Sequence, residues 1–338
     1  MKRLSILGAL VAWALSTVTV LATPGSGVTS AILATATFDT VSTSQVANRE
    51  SVIQDVTIAP GGHTGWHSHP GGTFVMVESG TFTMYHSDCS KTTVAAGRGL
   101  FEAGGQVQLA KNEGTVPLVL TVVYLDVTSP DGPVRADAAI PACAAGAGLP
   151  ITATGDLVTA AFIDRATFGT AATITNGDER DVVVQQATFA PGGHSGWHSH
   201  PGTTQVFVVS GTFSFYSATD CVRQNFTAGQ GVIEPGGGVQ IARNESTTEP
   251  LNLFVVYYDV PQGVAGGFRI DQPEPANCTG LAAVPTPTAS ATPTASALPN
   301  TSAQIAGTGT EAPVLAAVLL ALASLAGVVV LRWRRIRI

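Results

Sequence analysis

The chain has 338 residues, 45% of them hydrophobic, and its 16 basic and 23 acidic residues give a net charge of −7. Six basic residues lie at the two ends, which leaves ten basic against twenty-three acidic residues, or about −13, between them. An acidic chain without a lysine or arginine cluster there argues against binding of nucleic acid or anionic lipid headgroups.

The N-terminal segment predicts export. Lys2 and Arg3 precede an apolar run from Leu4 to Leu15, and residues 1–22 end in Val-Leu-Ala. This pattern is typical of a secretory signal peptide that is cleaved after Ala22. We therefore expect the remainder of the chain to be exported.

One short block is written twice. Residues 59–71 and 190–202 are identical except for Thr64 and Ser195, and they contain six of the seven histidines, which are His63, His67, His69, His194, His198 and His200. A His-x-His pair on a strand directs two imidazoles to one face, and neutral imidazole is the commonest metal ligand in proteins. The pattern predicts a metal site in each half.

The repeat extends well beyond the histidines. Matching segments are Val77–Tyr85 with Val208–Tyr216 and Leu120–Val127 with Leu253–Val260. Short β-branched and aromatic runs alternate with Gly, Pro and Asn clusters, and helical periodicity is almost absent outside the ends. We expect an all-β protein with two tandem β-barrel or jelly-roll domains, residues 30–145 and 150–281.

Four cysteines, an even number in an exported chain, predict disulfides, and no Cys-x-x-Cys pair suggests another use. Three pairings are possible. Each half has one cysteine after its histidine block and one near its end, at similar separations. We predict Cys89–Cys143 and Cys221–Cys278.

The C-terminal region predicts a membrane anchor. Residues 284–311 are rich in Pro, Thr, Ser and Ala, which favours an extended stalk. The uncharged apolar residues 312–331 are long enough to span a bilayer, and the basic residues 332–338 indicate a cytoplasmic tail. As an alternative, Leu298–Ser302 resembles a sortase signal for attachment to a cell wall.

Two motifs in each half carry a family resemblance. In the first half they are Pro60–His69 followed by Gly80, and Gly97–Asn112. In the second half the same frame is Pro191–His200 with Gly211, and Gly229–Asn244. These motifs resemble those of the cupin family, and because they cover both repeats the chain resembles a bicupin.

The resemblance implies a ligand set. In cupins, two histidines and a glutamate from the first motif and a histidine from the second converge inside the barrel. This sequence has Thr73 and Thr204 at the glutamate position and Gln108 and Gln240 at the second-motif histidine position. The implied ligands are His67, His69 and Gln108 in one barrel and His198, His200 and Gln240 in the other, with Thr73 and Thr204 as further candidates.

All of these ligands are uncharged. Because the glutamate is absent, we expect a water molecule to fill its coordination position. Such a set suits Mn, Fe, Ni, Cu or Zn, and the sequence does not choose among them. A metal-free polar cavity, with the histidines satisfied by hydrogen bonds, is the alternative.

Two further pairs of residues are weaker candidates. His63 and His194 share strand parity with the histidine pairs, but on a straight strand they lie about 13 Å away, so only a bend at the intervening glycine would bring them in. Otherwise they are turn histidines near the barrel mouth. Glu102 and Glu234 share the inward parity of the glutamines, but Gly and Pro residues intervene, so we do not assign them as ligands.

Two functions of different classes fit the sequence. One is an extracellular metal-dependent enzyme of cupin type that oxidises or decarboxylates a small oxygenated substrate. The other is a surface-displayed module that binds a carbohydrate or metabolite without turnover. No Walker loop, nucleophile elbow or catalytic cysteine appears, which argues against phosphoryl and acyl transfer. The substrate and the oligomeric state are left open.

Overall fold

A computed structural model describes residues 22–46 and 50–282. The predicted signal peptide up to residue 21, the stalk at 284–311, the span at 312–331 and the tail at 332–338 lie outside the described residues. Within the described ranges, no helix has the length and apolarity that a membrane crossing requires.

The described residues form twenty-two strands, eleven in each half, and no helix. The strands of the first half are β1 (Ser26–Phe38), β2 (Ser42–Val46), β3 (Glu50–His63), β4 (His67–Ser68), β5 (Thr73–Ser79), β6 (Thr81–His86), β7 (Lys91–Ala95), β8 (Arg98–Glu102), β9 (Gln108–Lys111), β10 (Leu118–Val127) and β11 (Ala136–Asp137). Those of the second half are β12 (Asp156–Phe168), β13 (Ala172–Asn176), β14 (Arg180–His194), β15 (His198–Ser199), β16 (Thr204–Ser210), β17 (Thr212–Ser217), β18 (Arg223–Thr227), β19 (Gln230–Glu234), β20 (Gln240–Arg243), β21 (Leu251–Pro261) and β22 (Ile270–Asp271).

Each half builds an antiparallel barrel in the same order. In the first barrel β10 lies between β3 and β5, and β5 also pairs with β8. In the second barrel β21 lies between β14 and β16, and β16 also pairs with β19. Alternate residues of these strands point inward and form one apolar cluster in each barrel. The predicted all-β fold with two barrels is confirmed.

The two barrels exchange their first strands. β1, at the start of the first half, pairs antiparallel with β14 of the second half, from Ser26 opposite His194 to Phe38 opposite Arg180. β12, at the start of the second half, pairs in the same way with β3 of the first half. Each barrel is therefore completed by a strand from the other repeat, which the sequence analysis did not foresee. The boundaries 30–145 and 150–281 stay a prediction.

A third apolar cluster joins the barrels and draws residues from both halves. Its aromatic rings pack at typical centroid distances, 5.3 Å for Phe38 with Phe74, 5.2 Å for Phe168 with Phe207 and 5.0 Å for Phe74 with Tyr258. Arg165, on the exchanged strand β12, also forms an ion pair with the buried carboxylate of Glu50 at 2.6 Å. The exchanged strands are thus fixed by burial and by an ion pair.

A disulfide closes the outer side of each barrel. Cys89 is bonded to Cys143, and Cys221 is bonded to Cys278. The cysteines pack in small clusters around the fully buried side chains of Trp66 and Trp197. In the chain-entropy model, closing such loops contributes on the order of 3–4 kcal/mol each.

Candidate metal centre and cavity

A sharp turn follows the long strand of each histidine block. Gly196 has φ of +72°, and an added Cβ there would collide with the backbone carbonyl of Thr23. Gly65 has φ of +73° and would collide with the carbonyl of Ala153. Only glycine fits at both positions. The turn redirects the chain so that each His-x-His pair begins a new short strand that faces the barrel interior.

All four imidazoles of the pairs are oriented by the backbone. Nδ1 of His67 lies 2.9 Å from the carbonyl oxygen of Gly65, and Nδ1 of His198 lies 3.0 Å from that of Gly196. His69 and His200 make the same contact with the carbonyls of Val134 and Phe268, at 2.7 and 2.6 Å. A carbonyl oxygen only accepts, so each Nδ1 carries the proton and each Nε2 presents a lone pair. This is the tautomer that a metal ligand requires.

A carboxylate faces one imidazole in each barrel. Nε2 of His200 lies 3.1 Å from Oε2 of Glu234, and Nε2 of His69 lies 3.1 Å from Oε2 of Glu102. All four side chains are buried. In the second barrel, the ligand atoms of His198, His200 and Glu234 all lie within 4.8 Å of one another. This group has the composition and spacing to hold one metal ion.

The physical chemistry of this contact fits a cation. With its proton on Nδ1, each imidazole offers a lone pair to a carboxylate oxygen, which also only accepts. Two such acceptors stay 3.1 Å apart in a buried site only when a proton or a metal ion lies between them. Two imidazoles and one carboxylate are donors that divalent transition metals accept.

The structure places a carboxylate beside the histidines of each barrel, which the sequence analysis did not assign there. The inference that no carboxylate lies beside the histidines is wrong, because Glu234 joins the second group. The reason is strand register. Glu102 is the direct cross-strand partner of Thr73, and Glu234 is that of Thr204, so the carboxylate enters from the neighbouring strand. The shared inward parity of these glutamates was the signal that could have found them.

The other candidates occupy definite positions. Gln108 and Gln240 are buried directly across from His67 and His198, and neither Nε2 has a hydrogen-bond partner among the described residues. Thr73 and Thr204 are also buried, on the strand beside the glutamates. Coordination by these glutamines and threonines stays a prediction.

The chain does bend at the glycine after His63 and His194. The bend, however, uses both rings in a hydrogen bond, because the N–H of Gly65 donates to Nδ1 of His63 and that of Gly196 donates to Nδ1 of His194, each at 3.1 Å. His194 lies outside the group formed by His198, His200 and Glu234.

Burial controls the charge state of the site. Loss of hydration, together with the smaller effect of the neighbouring imidazole of His69, lowers the pKa of His67 to about 4. Burial likewise holds the pKa of His198 well below its ordinary value. A tyrosine ring lies 5.1 Å from one imidazole of each site, Tyr124 beside His69 and Tyr257 beside His200, and the rings are tilted by 53°. Burial raises the pKa of both phenols. At neutral pH, His67 and His198 are therefore uncharged.

A cavity of about 430 Å³ opens onto the group in the second barrel. His198, His200 and Glu234 line it together with the polar residues Gln185, Ser195, Tyr257, Arg269 and Asp271. The remaining wall is mainly apolar and comprises Ala187, Phe189, Val206, Phe213, Ala242, Leu253, Val255 and Phe268. Residues 24–30 of the exchanged first strand and the segment before it complete the lining. The second site is therefore built from both repeats.

One family model matches a segment in each half of the chain. The family model described as Cupin domain matches residues 54–124 and 185–257. No curated protein matches the chain.

Solved structures share only low identity with the chain. A Cupin 2 conserved barrel domain protein from Leptotrichia buccalis is 14% identical, with 64% of this chain and 88% of that chain covered and a TM-score of 0.25. Oxalate decarboxylase from Bacillus subtilis at pH 4.6 is 13% identical, with 67% and 74% covered and a TM-score of 0.34. A formate complex of oxalate decarboxylase from Lactobacillus farciminis is 12% identical, with 68% and 83% covered and a TM-score of 0.33. Likenesses at these TM-scores carry no argument about the activity of this chain.

The buried histidines predict acid sensitivity of the metal-free protein. Unfolded His67 takes up a proton near pH 6.5, whereas folded His67 does so only near pH 4. Between these pH values the unfolded state binds more protons than the folded state. Neutral His67 therefore contributes to the free energy of unfolding in full above pH 6.5, and this contribution is lost as the pH falls toward 4. Its full size is on the order of 3 kcal/mol.

Urea unfolding in the presence of a chelator, measured across this pH range, tests the expectation. His67→Gln should flatten the dependence of the unfolding free energy on pH, and His86→Gln, at a partly exposed position, is the matched control. An unchanged slope in His67→Gln would contradict the assignment.

Proposed function

We propose that this chain, which contains two cupin domains, is an exported and membrane-anchored metalloenzyme that oxidises or decarboxylates a small oxygenated molecule in the cavity of its second barrel. The observation that carries the proposal is the buried group of His198, His200 and Glu234, open to that cavity. His67, His69 and Glu102 supply the equivalent donors in the first barrel.

The residues fit a divalent transition metal. One carboxylate offsets part of the charge of the ion, and the backbone carbonyls that accept from Nδ1 hold both imidazoles in the ligating tautomer. A bound ion of this kind acts as a Lewis acid on an oxygen of the substrate. Two imidazoles with one carboxylate are also the donors of non-haem iron oxygenases, which supports oxidation as the reaction class.

The protein side chains position the substrate and exclude water. The polar group occupies one part of the cavity, and aliphatic and aromatic side chains line most of the rest. A substrate that satisfies both has an oxygen-donor head and an apolar body. Such a body gains about 0.8 kcal/mol for each buried CH₂ group.

Binding without turnover is the second candidate function. Its support is the scarcity of acid–base groups beside the proposed ligands. The Tyr257 hydroxyl donates to Gln185 at 2.9 Å, burial raises its pKa, and Asp271 is paired with Arg269 at 2.7 Å. Consumption of oxygen or of a substrate by the metal-loaded protein would establish an enzyme, whereas saturable binding with full recovery of the ligand would establish a binding module.

The first prediction from this proposal concerns metal content. Elemental analysis of the purified chain after incubation with Mn, Fe, Ni, Cu or Zn should find close to one ion per barrel. Glu102→Gln combined with Glu234→Gln should weaken binding by at least about 100-fold, because the only carboxylate ligand of each site is lost.

Glu249→Gln, an exposed residue of the second half, is the control and should keep the parental metal content. Parental content in the double variant would remove the glutamates from the ligand set. An absence of metal from the parent with all five ions would leave the metal-free binding module.

The second prediction concerns the shape of the ligand. Alkyl hydroxamates carry a metal-binding head that is uncharged near neutral pH, and their chain can be lengthened one CH₂ at a time. Calorimetry on the metal-loaded chain should show affinity rising about fourfold per CH₂ until the cavity is filled.

Ala242→Leu should abolish this gain, because Ala242 lines the cavity. Ala110→Leu, at the matching position of the first barrel, is the control. A gain that survives Ala242→Leu, or that only Ala110→Leu removes, would place the ligand elsewhere.

The third prediction concerns anchoring and rests on the sequence, since residues 284–338 lie outside the described part. Protease added to intact cells should cut the stalk and release a fragment that contains both barrels. Salt alone should release nothing, because a span of about 20 apolar residues inserts almost irreversibly. Release of the intact mature chain by salt would refute the anchor, and a mature C-terminus within Leu298–Ser302 would favour the sortase alternative.

A further inference from the structure

Three polar residues lie side by side where β14 ends. His194, on the middle strand, pairs with Ser26 of the exchanged strand β1 on one side and with Arg243 of β20 on the other. The next residue, Ser195, lines the cavity, so His194 lies on the opposite face of its strand, away from the metal group. His194 is only 1% exposed and Arg243 is 11% exposed.

This cluster has hydrogen-bond donors without acceptors. The N–H of Gly196 donates to Nδ1 of His194, so the proton of the neutral ring is on Nε2. Nε2 of His194 and Nε and Nη1 of Arg243 are all buried, and none has a hydrogen-bond partner among the described residues. A buried donor without an acceptor costs about 1–3 kcal/mol, so three of them together mark a place for an acceptor.

The neighbouring acid does not fill this role. Oε1 of Glu245 is 3.9 Å from Nε of Arg243, beyond hydrogen-bond distance. Both carboxylate oxygens of Glu245 are already used, one by the hydroxyl of Tyr216 at 2.5 Å and the other by Arg223 at 2.6 Å.

The first barrel shows what the second one lacks. Its equivalent residues are His63 and Lys111, again cross-strand partners, and the exchanged strand β12 places Asp156 opposite His63. The Asp156 carboxylate is close enough to His63 to oppose the lowering of its pKa by burial. In the second barrel the exchanged strand has Ser26 at this position, and Nε2 of His194 has no hydrogen-bond partner in the described part of the chain.

We propose that the second barrel binds one small carboxylate anion between His194 and Arg243, beside Ser26, which holds the strand position of Asp156 in the first barrel. Its oxygens accept from Nε2 of the imidazole and from the guanidinium, which forms strong charge-assisted hydrogen bonds with carboxylates. The enclosure of His194 restricts the anion to a small free molecule rather than a side chain of another macromolecule.

Thermal unfolding of the full-length chain at constant pH and ionic strength tests this site, with acetate replacing a bulky sulfonate. Acetate should raise the melting temperature in a saturable way, by about 5 °C at 100 times its dissociation constant. Pivalate, the same head on a bulkier body, should give no such rise.

Ser26→Asp supplies the missing carboxylate within the chain. It should raise the melting temperature in sulfonate and abolish the response to acetate. Thr29→Asp, which adds the same charge on the same strand away from the cluster, is the matched control and should keep the response. Arg243→Gln should also lose the rise in melting temperature with acetate. It serves as a second variant if Ser26→Asp folds poorly.

Two outcomes would overturn the proposal. If wild-type protein responds to neither acid or equally to both, water satisfies the three donors and no specific anion site exists. If the response to acetate persists in both Ser26→Asp and Arg243→Gln, acetate binds elsewhere.

Discussion

The candidate site of this protein depends on a contact that is repulsive unless a proton or a metal ion lies between the two atoms. In each barrel an imidazole Nε2 and a carboxylate Oε2 lie 3.1 Å apart, and the backbone carbonyl that accepts from Nδ1 prevents the ring from turning its proton toward the carboxylate. The barrel holds both groups in place, because the histidine follows an obligatory glycine turn and the glutamate is fixed by its strand register. The cost of this arrangement is recovered when a proton or a metal ion lies between the two groups.

Much of the fold could be predicted from the sequence, whereas the ligand set could only be predicted in part. The repeated histidine blocks and the period-two runs were sufficient for two all-β barrels, and the matched positions of the cysteines were sufficient to propose the pairing that the structure contains. Parity alone placed Glu102 and Glu234 on the inward face. It could not reveal that they lie opposite Thr73 and Thr204, because the pairing register across a connection with Gly and Pro is set by tertiary packing.

The exchange of first strands was beyond sequence analysis for a related reason. β1 and β12 end in similar residues, with Ala36 and Phe38 matching Ala166 and Phe168, and all four pack in the cluster between the barrels. Because the buried ends of the two strands are so similar, local propensity and hydrophobic pattern do not decide which barrel each strand joins. Long-range contacts, among them the ion pair of Arg165 with Glu50, decide which barrel each strand joins. Such contacts cannot be read from the sequence of either strand.

Strand exchange also explains how two barrels of nearly identical design can differ in chemistry. The wall of the second cavity includes residues 24–30, so substitutions near the start of the chain change a site whose proposed metal ligands lie more than 160 residues later. The same geometry places Asp156 beside His63 but Ser26 beside His194. Each barrel therefore keeps its own histidines and glutamate while the other repeat supplies part of its surroundings. The second repeat alone does not contain the complete cavity, and the two barrels must fold together for that cavity to have its wall.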